Sequence, residues 1–130
     1  MSLGIQGIHH VALITADYPR ARHFYTNVLG ARVIAETWRA DCQSYKLDLQ
    51  LGHAQLELFS FPHPPPRPSH PEACGLRHLA FSVKDIDLTI TALAQHDIIC
   101  APLRVDPLTQ KRFTFFADPD GTPLEVYECS

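Results

Sequence analysis

The chain has 130 residues, 45% hydrophobic and 19% charged, which predicts one soluble globular domain with enough apolar material for its own core. Eleven Lys and Arg against 14 Asp and Glu leave a net charge of −3, which excludes a global electrostatic pull toward nucleic acid. No apolar run reaches the ~18 residues of a membrane span, and no basic segment followed by an apolar run marks a secretory leader.

In chain order, residues 6–14 form an apolar run with β-branched content and predict a strand. Asp17 is placed to cap a helix, and Pro19 sits in its first turn, where a missing N–H costs little. That helix is expected to run to about Leu29, with Gly30 as its left-handed stop. Strands are predicted near 31–38, 43–50 and 54–61, the last two joined by Leu51-Gly52-His53. Next comes a connection with six prolines between Phe61 and Pro71. It reads as a stiff extended spacer or as a rigid loop walling a pocket. A strand at 76–83 and a helix capped by Asp85 and ending near His96 then follow. Strands near 99–104, 111–117 and 123–128 complete the chain, with Asp118-Pro119-Asp120-Gly121 turning into the last one.

The order is βαβββ, written twice. Ile8-His9-His10-Val11-Ala12 returns sixty-eight residues later as Leu76-Arg77-His78-Leu79-Ala80, and Asp17 returns as Asp85. Leu56-Glu57-Leu58-Phe59 returns as Leu124-Glu125-Val126-Tyr127. Forty-seven residues separate His10 from Glu57, and forty-seven separate His78 from Glu125. The expected organisation is therefore one domain over 1–130, with module 5–61 and module 75–129 joined by a proline-rich linker over 62–74.

Strand alternation sorts these residues by face. Leu79, Phe81 and Val83 oppose His78, Ala80 and Ser82, while Val11 and Leu13 oppose His10 and Ala12. Leu56 and Leu58 oppose Glu57 and Phe59, and Leu124 and Val126 oppose Glu125 and Tyr127. Each sheet thus has an aliphatic face for its helix and a second face carrying His, Glu and an aromatic ring. An unpaired carboxylate is too costly for an ordinary core, so the second face is read as the lining of a cavity that holds a cation. Two imidazoles and two carboxylates, His10, Glu57, His78 and Glu125, suit an octahedral divalent ion such as Ni²⁺, Zn²⁺, Mn²⁺, Co²⁺ or Fe²⁺ with two positions left for water or substrate. His9 points to the other face, and its counterpart is Arg77. His23, His53, His63, His70 and His96 are read as surface residues. The four cysteines, Cys42, Cys74, Cys100 and Cys129, show no Cys-x-x-Cys spacing and are expected to be reduced thiols in a cytoplasmic protein.

Four segments carry a resemblance to a known group: Ile8-His9-His10-Val11-Ala12, Phe24-Tyr25-Thr26-Asn27-Val28-Leu29-Gly30, Leu76-Arg77-His78-Leu79-Ala80-Phe81, and Phe116-Ala117-Asp118-Pro119-Asp120-Gly121-Thr122-Pro123-Leu124-Glu125. Together they resemble the vicinal-oxygen-chelate superfamily of glyoxalase I, methylmalonyl-CoA epimerase, fosfomycin-resistance transferases, extradiol dioxygenases and bleomycin-resistance proteins. Within it the chain is most similar to the small glyoxalase-like bacterial proteins of the YaeR type, through Glu57-Leu58-Phe59-Ser60-Phe61-Pro62 and the stretch from Arg104 to Phe113.

The resemblance implies an α+β fold of two tandem βαβββ modules whose mixed sheets form a metal-binding cup with helices outside. It carries the metal positions over to His10, Glu57, His78 and Glu125, the pattern of metal-dependent glyoxalase I, with Zn²⁺ or Ni²⁺ as the first expectation. It further implies proton transfer on the hemithioacetal of a 2-oxoaldehyde through a metal-bound enediolate, with Glu125 as base and Glu57 for the reverse transfer. Phe59 and Tyr127 fall on the cup face, and Arg22, Asn27, Arg104, Lys111 and Arg112 are the cations and amides available to a substrate such as a glutathione or other thiol adduct. A homodimer is expected by analogy. The competing readings are an acyl-thioester epimerase using the same metal chemistry, and a non-catalytic binding protein of the bleomycin-resistance kind.

Overall fold

A computed structural model describes residues 2–130 of the chain. Eight strands and two α-helices follow in order: β1 (Val11–Thr15), α1 (Tyr18–His23), β2 (Arg32–Arg39), β3 (Ser44–Leu51), β4 (Ala54–Ser60), β5 (Leu79–Val83), α2 (Ile86–Gln95), β6 (Arg104–Val105), β7 (Arg112–Ala117) and β8 (Pro123–Glu128). They build two four-stranded mixed sheets, ordered β1-β4-β3-β2 and β5-β8-β7-β6. In each, the first strand lies parallel to the last and the remaining pairs are antiparallel. This is the expected βαβββ topology, twice, in an α+β fold. The chain divides into two compact units, one ending at Pro66 and the other starting at Arg67.

The first unit is organised by leucines on one face of β3 and β4. Leu47, Leu49 and Leu58 are almost completely buried, as are Ala21 of α1 and Tyr25. Asp17 caps α1 as expected, its side chain accepting from the Arg20 N–H at 3.2 Å. The helix does not continue regularly to Leu29, however. It widens into a π-helical segment, Phe24–Val28, closed by the Leu29 N–H on the Phe24 carbonyl at 3.0 Å. Thr26 donates its hydroxyl to the Arg22 carbonyl at 2.7 Å, which competes with a regular ladder there. The wide turn lets the neighbouring rings of Phe24 and Tyr25 both reach the core, edge to face at 5.1 Å between centroids. Gly30 then takes a φ of +80, the left-handed stop foreseen from its position.

The second unit repeats the plan with α2 packed against β8; Ile86 and Leu93 of the helix are buried, as are Leu124 and Val126 of the strand. Asp85 caps α2 by accepting from the Leu88 N–H at 3.1 Å. The Asp118 turn is built as expected, with one carboxylate oxygen accepting from the Asp120 and Thr122 N–H groups at 2.9 Å each.

Three strand expectations need correction. The strand placed at 6–14 begins only at Val11, because pairing with β4 starts at Val11↔Leu56; Ile5 and Ile8 are 78% and 87% exposed. The strand placed at 76–83 likewise begins at Leu79, where pairing with β8 starts. The strand placed at 99–104 shrinks to Arg104–Val105. Its earlier part touches β7 through Ala101, whose N–H reaches the Phe115 carbonyl and whose carbonyl accepts from Thr114, after which Pro102 has no N–H to offer. The proline-rich connection contains no strand or helix. No described helix is long and apolar enough to cross a membrane.

Candidate metal centre

His10 stands one residue before β1, and Glu57 lies on the cup face of β4, where Ala12 is its partner in register. The parallel pairing therefore carries His10 to the edge of the face that Glu57 occupies. Their side chains meet at 3.3 Å, His10 Nε2 to Glu57 Oε2. On the other side of the ring, His10 Nδ1 lies 2.9 Å from His9 Nδ1, so one of these nitrogens donates and the other accepts. That contact leaves Nε2 as the nitrogen facing the carboxylate.

The second unit builds the same pair in the same way. His78 stands one residue before β5, Ala80 pairs with Glu125 in register, and His78 Nε2 lies 3.2 Å from Glu125 Oε1. The His78 ring is held edge-on against Phe115, centroids 5.1 Å apart. Arg77 sits beside its Nδ1 at 3.4 Å and is itself held by Glu72 at 2.6 Å.

The donor chemistry fits a divalent cation. The carboxylates are mostly withdrawn from solvent, Glu57 at 14% exposure and Glu125 at 12%. Each has an imidazole nitrogen as its near neighbour, so the two lone-pair donors of a pair face one point. A proton or a metal ion must lie there to keep the contact from being repulsive, and nitrogen with oxygen is a suitable donor set for first-row divalent ions. Each unit brings two of the four expected ligands together. No group of three or more His, Cys, Asp or Glu side chains able to hold a metal occurs among the described residues.

The strand beside each glutamate differs between the units. Asp48 and Lys46 of β3 pair with Glu57 and Phe59. At the equivalent register in β7, Phe115 and Phe113 pair with Glu125 and Tyr127. Lys46 Nζ lies 2.9 Å from Asp48 Oδ1 and 3.8 Å from Glu57 Oε1. The Asp48 hydrogen bond holds the lysine's pKa above its ordinary value. Arg39, at the end of β2, stacks its guanidinium over Phe59 at 4.8 Å and over Phe61 at 5.8 Å. Expectations from sequence passed over Arg39, Lys46, Asp48, Phe113 and Phe115. The alternation of Ser44, Lys46, Asp48 and Gln50 along β3 was the signal for the two charged ones.

The other expected substrate residues fall in several places. Phe59 lies on the cup face, under Arg39. The Tyr127 ring stacks on Phe113, and its hydroxyl is shared with Thr109 and with Asp106 at 3.1 Å. Arg104 lies over the Phe113 ring at 5.3 Å. Asn27 is exposed, with its side-chain amide 2.9 Å from the Thr26 hydroxyl oxygen. Lys111 reaches Ser130 at 3.5 Å.

Arg22 and Arg112 lie on the helix side of their sheets. Arg22 pairs with Glu36 at 2.9 Å, alongside Tyr18, and lowers the Glu36 pKa. Burial first, and then the Glu36 carboxylate that Tyr18 donates to, raise the Tyr18 pKa, against the opposing pull of Arg22. Arg112 bridges Glu128 at 2.9 Å and Asp87 at 3.1 Å, and lowers the Glu128 pKa.

A profile of the Glyoxalase/Bleomycin resistance protein/Dioxygenase superfamily matches residues 7–126. The chain is 56% identical over 127 residues to the uncharacterized protein YaeR of Escherichia coli (strain K12), covering 97% of this chain and 98% of that protein. It is 30% identical to a 2-epi-5-epi-valiolone epimerase of Actinomyces sp, over 95% of this chain and 79% of that one. The crystal structure of a glyoxalase family protein from Enterococcus faecalis superposes with a TM-score of 0.89 at 48% identity, covering 95% of this chain and 98% of that one.

Proposed function

Because the chain belongs to the Glyoxalase/Bleomycin resistance protein/Dioxygenase superfamily, we propose that it is a metal-dependent, glyoxalase-like lyase or isomerase. Its reaction is a proton shift between neighbouring carbons of a small substrate that offers two oxygens, such as the hemithioacetal of a 2-oxoaldehyde with glutathione or another thiol. The observation that carries this reading is the duplicated imidazole–carboxylate pair, closed at 3.3 and 3.2 Å on the same register of two separate sheets. His10, Glu57, His78 and Glu125 would hold one divalent ion, with Zn²⁺ or Ni²⁺ the first choices. The two half-sites come from one chain or from two copies in a homodimer.

A divalent ion bound there would supply Lewis acidity toward the substrate oxygens, which would acidify the adjacent C–H. The rest falls to the protein. Glu125 takes the proton from one carbon and the same proton is delivered to its neighbour, so the reaction balances as an isomerisation without oxidant or reductant. Glu57 serves the reverse transfer, the return of the proton to carbon, and the back-reaction retraces the same path. Phe115 and His78 beside Glu125 exclude water from that carboxylate, which keeps the abstracted proton from being lost to solvent. Phe59 and Tyr127 pack against the apolar part of the substrate.

The second reading is epimerisation by the same proton chemistry, favoured by the 30% identity to the valiolone epimerase. The test loads metal-free protein separately with Ni²⁺, Zn²⁺ and Mn²⁺ and assays the methylglyoxal–glutathione hemithioacetal. Turnover that disappears in Glu125→Gln supports the glyoxalase reading. Metal-loaded protein without turnover shifts the reading to epimerisation, scored by deuterium exchange from D₂O into candidate substrates. Protein that takes up no metal, in both native form and His78→Ala, favours a binding protein.

A further inference from the structure

The first unit carries a charge arrangement that a metal site alone does not use. Arg39, Lys46 and Asp48 line the same sheet face as Glu57, and the second unit has aromatic rings where Lys46 and Asp48 stand. We propose that Lys46, reinforced by Arg39, recognises an oxyanion on the substrate, so that the molecule turned over carries a carboxylate or phosph(on)ate group beside its two chelating oxygens. This rests on the metal reading above and narrows its substrate class.

Three observations carry the proposal. First, the Lys46 ammonium has three donors, of which Asp48 takes one at 2.9 Å. Glu57 at 3.8 Å attracts it without a hydrogen bond, and the side chain remains 33% exposed and open to a ligand. Second, Arg39 is fixed over the Phe59 and Phe61 rings and donates to Ser44 at 2.7 Å. Its Nε–H is shut off from solvent and has no acceptor among the described residues, so its charge is only partly compensated on this face. Third, the charges of Arg39 and Lys46 balance those of Asp48 and Glu57, until a divalent ion is added. A divalent ion held at Glu57 would leave this face positive, and an anionic substrate group would offset that charge. The anion lies beside Glu57, within a sheet whose register fixes Lys46 against Phe59.

The test uses the full chain loaded with Mn²⁺ and two bidentate oxygen chelators, phosphonoacetohydroxamate and acetohydroxamate, titrated by calorimetry with the Mn²⁺ EPR signal as a second readout. The native protein should bind the phosphonate at least about tenfold more tightly, the scale of a charge-assisted hydrogen bond. Lys46→Gln should remove most of that preference while acetohydroxamate affinity stays within about twofold, and Lys46→Arg should restore it. Thermal melting confirms that the variants fold. An equal preference in native protein and Lys46→Gln overturns the proposal, as does a parallel loss of both chelators. If the protein takes up no Mn²⁺, the metal reading fails on its own. The oxyanion site is then read on metal-free protein, where millimolar phosphonoacetate should shift the Arg39 Nε–H resonance in native protein but not in Lys46→Gln. A resonance that does not move overturns it.

Discussion

The two units share a backbone and differ in what they place beside the same pair of donors. In both, a histidine one residue before the first strand meets a glutamate on the fourth, through a parallel register in which an alanine partners the glutamate. In the first unit the neighbouring strand offers Lys46 and Asp48; in the second it offers Phe113 and Phe115. The pair depends on pairing between the first and last strands, which the duplication preserves. The third strand pairs with the glutamate's strand through backbone groups whatever its side chains, and those side chains are charged in one copy and aromatic in the other. The helices differ by the same freedom: α1 is short and runs on as a π-helical turn, while α2 is a regular ten-residue helix.

The largest effects should separate the two carboxylates. Glu125→Gln should lower forward turnover of the metal-loaded protein by about 10³-fold, within the usual span for a general base. Glu57→Gln should cost less, and for each variant the loss in kcat/KM is the same in both directions because a substitution cannot move the equilibrium constant. Progress curves run from both sides, with metal content measured in parallel, check this. Equal losses for the two variants would break the division of labour.

Core truncations come next, as a comparison of the two leucine faces. Leu56→Ala and Leu124→Ala remove equivalent, almost fully buried side chains and should each cost about 3 kcal/mol in urea unfolding. A single shared transition would show the units unfolding together; two transitions, each moved by one variant only, would show them unfolding separately. The helix caps are a smaller matched pair. Asp17→Ala and Asp85→Ala each remove one side-chain acceptor from a helix start and should cost about 1 kcal/mol.

The smallest effect concerns pH. Glu36 has a folded pKa below its ordinary value because Arg22 and Tyr18 donate to it. Its stabilising contribution is therefore present above the ordinary carboxylate pKa and is lost as pH falls through the lowered value. Arg22→Ala should flatten that part of the acid unfolding curve, with about 0.5 kcal/mol lost at neutral pH because the pair is exposed. The matching Arg112→Ala variant should flatten the same acid region through Glu128, whose pKa is lowered by the same kind of bond.

Much of this was legible in the residues. Equal spacing from histidine to glutamate revealed two copies, strand alternation put both donors on one face, and Asp17, Asp85 and Gly30 marked helix ends by local chemistry alone. Those signals act over a few residues or repeat along the chain, so a linear reading captures them. The length of β6 and the late start of β1 and β5 were not legible, because each is set by which backbone groups find partners on another segment. The widening after α1 was missed because it follows from the Thr26 hydroxyl on the Arg22 carbonyl and from two neighbouring rings reaching the core.

The same distinction governs the candidate site. Sequence alone determined that His10, Glu57, His78 and Glu125 are duplicated positions with metal-ligand chemistry, because residue type and spacing are properties of the chain. Only the tertiary structure decided that Arg22 and Arg112 are held in ion pairs on the helix side, and that Lys46, Asp48 and Arg39 gather around Glu57. Alternation fixes the two faces of a strand, whereas the register between strands, set by hydrogen bonding across the sheet, fixes which side chains meet on them.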